Sequence, residues 1–143
     1  MTAVEPKIEN GHLLTDIFGR WPSFHDAEVL EIILNRGERS EYGSWLSIKI
    51  HVFEMTSQVE NGAYVLRHHC AVNFRFREIY ELKLDSFNQQ NVLWGLRIVD
   101  ISDRQLERIN FEVFFDGTFG VSASLQCNSI NVESVEPYVL DRT

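Results

Sequence analysis

The 143-residue chain carries 13 Lys and Arg against 21 Asp and Glu, a net charge of −8, with 44% hydrophobic and 24% charged residues. This is enough sequence for one domain with a core of its own; it contains no apolar run of bilayer length, and its start, MTAVEPKIENGH, lacks the basic opening and apolar stretch of a signal peptide, so a cytoplasmic location is expected. No membrane partner is expected, and because an acidic chain repels phosphates neither is nucleic acid, whereas a basic protein would be drawn to it. The charge is uneven: residues 66–99 carry five basic and three acidic residues, residues 1–65 five and ten, and residues 100–143 three and eight.

In chain order, the first element is a short helix. Leu13, Leu14, Ile17 and Phe18 recur at helical spacing in GHLLTDIFG. Asn10 is placed to cap its start, Gly19 can take the left-handed exit, and Pro22 follows. After Pro22 the period becomes two. Leu30, Ile32 and Leu34 share one face of the first strand, opposite Val29 and Ile33. SWLSIKIHVF places Leu46, Ile48, Ile50 and Val52 inward, with Ser47, Lys49 and His51 outward. VLRHHCAVNFRFR places Leu66, Cys70, Val72, Phe74 and Phe76 on one face, and Arg67, His69, Asn73, Arg75 and Arg77 on the other. EIYELKLDSF, VLWGLRIVDI, INFEVFFDG, FGVSASLQC and SINVESV complete the series. Such alternation marks strands with one dry and one wet face, hence an antiparallel sheet. Asp116-Gly117 predicts a hairpin. The inward positions change from odd (Val121, Ala123, Leu125) to even (Ile130, Val132), which requires a bulge or turn at Asn128-Ser129. The expected fold is α+β, mostly β: a single domain over residues 1–143, built as a twisted antiparallel meander of about seven or eight strands with one short N-terminal helix.

Chemistry is suggested first by WPSFHDAE. His25 and Asp26 are adjacent, and adjacent strand residues point apart, which is poor geometry for a proton-relaying dyad. Asp26 and Glu28 form a two-carboxylate pair without a cleft to desolvate them. A structural role has its own mechanism: Pro22 stiffens the loop, Ser23 or Asp26 accepts from loop N–H groups, and His25 donates to a buried carbonyl. Trp21 and Phe24 add apolar weight where the helix meets the sheet. His68, His69 and Cys70 alternate in direction and cannot share one metal, and completing a site with His51 or Cys127 would need a coincidence of pairing. The two cysteines read as core residues. No metal, cofactor or catalytic residue is expected. The candidate contact surface is the outward side of NFEVFFDG, where Phe114 stands between Glu112 and Asp116 as an aromatic anchor with an acidic rim. Ser122, Ser124, Gln126 and Glu133 would extend that side.

The stretch from Phe18 to Val29 (FGRWPSFHDAEV), followed by FRFRE, IYELKLDSFN and SLQCNSINVE, resembles the immunity protein 50 family of bacterial polymorphic toxin systems. The resemblance implies a small, β-rich cytoplasmic protein that neutralises a cognate toxin encoded beside it by stoichiometric, non-catalytic binding. It supplies no catalytic residue, and it favours a structural role for Trp21, Pro22, Ser23, Phe24, His25, Asp26 and Glu28. The alternatives are a small-ligand-binding or lyase-like cone-shaped β domain using His25 and Asp26 inside a sheet cavity, and a structural module dimerising through a sheet edge.

Overall fold

A computed structural model describes residues 5–38 and 43–139. One helix, α1 (His12–Phe18), precedes six strands: β1 (Glu28–Asn35), β2 (Trp45–Glu60), β3 (Ala63–Asp85), β4 (Val92–Asp100), β5 (Phe111–Phe119) and β6 (Ser122–Pro137). They close into a barrel in the order β1-β2-β3-β6-β5-β4, every pairing antiparallel.

The expected seven or eight strands are therefore six, and the expected meander is two three-stranded meanders clasped together. The count differs because two pairs of apolar runs are continuous. VLRHHCAVNFRFR and EIYELKLD both belong to the 23-residue β3, and SASLQC and SINVESV both belong to the 16-residue β6. At the break expected near Asn128-Ser129, β6 neither turns nor slips. Arg77 pairs with Ser129 and Ile79 with Cys127 in unchanged register, because β3 kinks at the same level, where Glu78 holds φ 57°. Both strands exchange faces together, so the ladder survives while the alternation breaks.

Three local readings change. In β1 a register shift between Val29 and Glu31 turns Val29 inward, 1% exposed, and leaves Leu34 51% exposed. Leu66 is not core: His68 takes φ 58°, and β2 and β3 run beyond the barrel as a ribbon. That ribbon turns at Asn61-Gly62, with φ 51° and 80°, the left-handed pair that a two-residue hairpin turn requires. Lastly, the β5–β6 reversal is not at Asp116-Gly117. Those residues stay in β5, paired with Gly95 and Leu93, and the chain reverses at Gly120. There φ is 79°, and a Cβ would lie 2.3 Å from the Gln90 carbonyl oxygen, so only glycine fits.

The core is one cluster inside the barrel. Phe24, Phe74, Phe76 and Phe115 are at most 2% exposed, and Leu14 and Phe18 of α1 join them. Cys70 and Cys127 are also buried, and burial raises their thiols to about 11 and about 12, as expected of packing residues. Gly19 caps α1 in the left-handed conformation, its N–H donating to the Thr15 carbonyl at 2.8 Å. Asn10 does not cap the helix; its side-chain amide donates to Asn131 Oδ1 at 3.0 Å and tethers the segment to β6.

Candidate partner-binding site

Residues 19–28 close the barrel. The Asp26 N–H donates to the Leu93 carbonyl, the Leu93 N–H to Ala27, and the Val29 N–H to Asn91, at 2.8–2.9 Å. These bonds join β1 to β4, whose one strand pair is Glu28 with Val92. To make the turn, Phe24 and Asp26 both adopt left-handed φ, 59° and 64°. Asp tolerates this; a bulky Phe does so only when its surroundings over-determine it. Here they do: Phe24 is 1% exposed, with ring centroids 5.9 Å from both Trp21 and Phe74. Pro22 is buried beside it, and Ser23 Oγ accepts the His25 N–H at 3.2 Å.

His25 and Asp26 are outside the barrel, each side chain 44% exposed, with Nε2 and Oδ2 3.7 Å apart. The sheet cavity that a cone-shaped lyase reading requires is filled by core side chains, and the two residues do not face it. Nor does His25 reach a buried carbonyl. Its Nδ1 lies 3.1 Å from the backbone oxygen of exposed Trp94, and its ring stands edge-on to the indole with centroids 4.8 Å apart. Trp94 is the extra residue of a bulge: Leu93 pairs with Gly117 and Gly95 with Asp116, leaving Trp94 unmatched and 66% exposed. Bulges re-aim side chains in this way.

On the same wall, the anchor expected at Phe114 is already occupied. Arg97, its cross-strand partner, stacks its guanidinium 4.3 Å from the ring centroid and grips Asp116 with two bonds, Nε to Oδ2 at 2.6 Å and Nη2 to Oδ1 at 3.1 Å. Those bonds hold the Asp116 carboxyl below its usual range and raise Arg97. Glu112 lies farther along β5, opposite Val99, half-buried. A shallow groove of about 370 Å³ runs beside Phe114 and Asp116 towards Lys83 and Ser122.

The three histidines of β2 and β3 divide into two groups. His51 is 8% exposed, its Nε2 2.9 Å from His69 Nδ1 and its ring stacked on Tyr138 with centroids 4.1 Å apart. Burial first and His69 second lower its pKa from 6.5 to about 4. His68 instead faces Glu54 at 3.4 Å. Among the described residues no group of three or more His, Cys, Asp and Glu is placed to hold a metal ion.

A model of the Immunity protein 50 family matches residues 10–138. The chain belongs to that family. No curated protein and no solved structure matches it. In this immunity protein 50 chain, the motif that carries the resemblance lies at the barrel seam and against Trp94. Sequence reasoning misses Trp94 because VLWGLRIVDI reads as one regular strand. The available signal was Gly95: a lone glycine within a strand pattern marks a bulge.

Proposed function

We propose that this chain neutralises a cognate bacterial toxin in the cytoplasm by stoichiometric binding, without catalysis. Family membership across residues 10–138 carries the reading. The surface chemistry supports it. A net charge of −8 suits a basic partner; β5 carries Glu112 and Asp116 beside Phe114, and Asp26 and Glu28 lie across the seam from β4, next to Trp94. Glu112, Phe114 and Asp116 belong to this proposed contact wall, with Arg97 as an internal cover that a partner would meet first.

The test is co-expression with the toxin encoded beside this chain's gene, followed by light scattering of the purified mixture. Restored growth together with a complex of fixed stoichiometry is the expected result. Continued toxicity and no complex, with the chain folded, would overturn the reading.

A further inference from the structure

We propose that Trp94 is the anchor of the toxin-binding surface, and that it receives a lysine or arginine side chain of the partner between its indole face and the carboxylates of Asp26 and Glu28. This rests on the neutralisation reading above.

The molecule builds the same arrangement twice for itself. Arg97 covers Phe114 while its guanidinium holds Asp116. Arg75 covers Trp45 at 3.9 Å while its Nε lies 3.3 Å from Glu133. Both are aromatic ring, cation and carboxylate together, a combination stabilised by the ring quadrupole and the charge pair at once. At the barrel seam the ring and the carboxylates recur. Trp94 stands against His25, Asp26 is bonded through its backbone to Leu93, and Glu28 pairs with Val92. Among the described residues, however, no lysine or arginine covers the Trp94 ring and Glu28 has no ion-pair partner. A cation supplied by a basic partner completes the set.

Rigidity adds to the case. An exposed tryptophan on a flexible loop would lose freedom on binding; this one is fixed by the bulge, by the edge-on His25 ring and by a doubly left-handed turn. An anchor already held in its bound orientation gives up less entropy on association.

The experiment titrates the purified, catalytically inactivated domain of the toxin encoded beside this chain's gene with the wild-type chain and four variants. Thermal unfolding confirms that each variant is folded. Trp94→Ala should weaken binding about 30-fold or more, the loss typical of a central aromatic anchor, with Trp94→Phe in between. The double variant Asp26→Asn, Glu28→Gln should slow association and flatten its salt dependence; Asn retains the left-handed tolerance that position 26 needs. Tyr64→Ala, an aromatic 58% exposed on the β2–β3 ribbon and outside the proposed contact wall, should change affinity less than about 3-fold, below the level of an anchor. Wild-type binding with Trp94→Ala within about 3-fold of it would overturn this inference and leave neutralisation standing. No binding by the folded wild type would instead overturn neutralisation itself.

Discussion

Phe24 is where the residue-level costs meet. It holds a bulky side chain at φ 59° and fills the space between Trp21 and Phe74. Phe24→Ala should cost about 3–5 kcal/mol through the cavity it leaves. Phe24→Gly, which removes the same ring but relieves the left-handed strain, should cost about 1 kcal/mol less than the alanine, reversing the usual order. Denaturant unfolding of the pair measures this; a glycine variant less stable than the alanine would show that the turn carries no strain. His25→Ala should cost less than about 1 kcal/mol, because its bond to the Trp94 oxygen is exposed. His51 makes a pH-dependent contribution. Its pKa is about 4 in the folded protein and 6.5 when unfolded, so unfolding takes up a proton between those values. The stability it provides is full above pH 6.5 and is lost as pH falls towards 4. Wild type should therefore lose roughly 1–2 kcal/mol between pH 7.5 and 5, and His51→Phe, which retains a ring against Tyr138, should flatten that loss. Glu54 and Asp116, lowered by Arg67 and Arg97, lose their contributions only below about 4.5 and 3.8, so pH 5 separates the imidazole from the carboxylates. An unchanged slope in the variant would assign the titration elsewhere.

At the scale of elements, the barrel depends on a seam with little strand pairing. Buried Asn91, 2% exposed, braces its β4 side: the backbone oxygen accepts the Val29 N–H of β1 at 2.8 Å, while Oδ1 accepts from the N–H groups of Asn88 and Val121 at 2.8 and 3.1 Å and Nδ2 donates to the Asn88 oxygen at 2.7 Å, tying the β3–β4 loop to the start of β6. Asn91→Leu keeps the approximate volume but orphans both amides, so it should cost about 2–4 kcal/mol. A melting temperature equal to wild type would mean that water replaces the side chain. This seam was the part least readable from sequence. Period-two patterning located the central strands and their inward residues, such as Ile48, Ile50, Val72 and Phe74, because inward direction is a local property of an extended backbone. Bulges at Val29 and Trp94, the kink at Glu78 and the merging of runs into β3 depend instead on what lies across the ladder, which no single segment records. Asn61-Gly62 carries a turn signal and does reverse the chain, whereas Asp116-Gly117 carries the same kind of signal inside a continuous strand. For the candidate site, the motif residues were visible in sequence and their neighbour Trp94, about seventy positions away, was not.

At the scale of the whole molecule, charge and topology act together. With a net charge of −8 and a basic partner, association should slow by about 10-fold as salt is raised from dilute to several hundred millimolar, while dissociation changes much less. Stopped-flow mixing at several salt concentrations would measure it; salt-independent association would remove electrostatic steering from the account. The clasp between the two meanders has a consequence in time. β3 cannot complete its ladder until β6 has been made, and the last pairs join Cys70 to Pro137. β1 likewise waits for β4. Contacts so distant in sequence place refolding in the millisecond-to-second range typical of all-β domains, and on the ribosome nothing of the closed barrel can form until nearly the whole chain has emerged, roughly 7–30 s after initiation. Under the proposed neutralisation, a cell exposed suddenly to the toxin would be protected by the copies it has already finished, and the standing pool would set the dose it can survive.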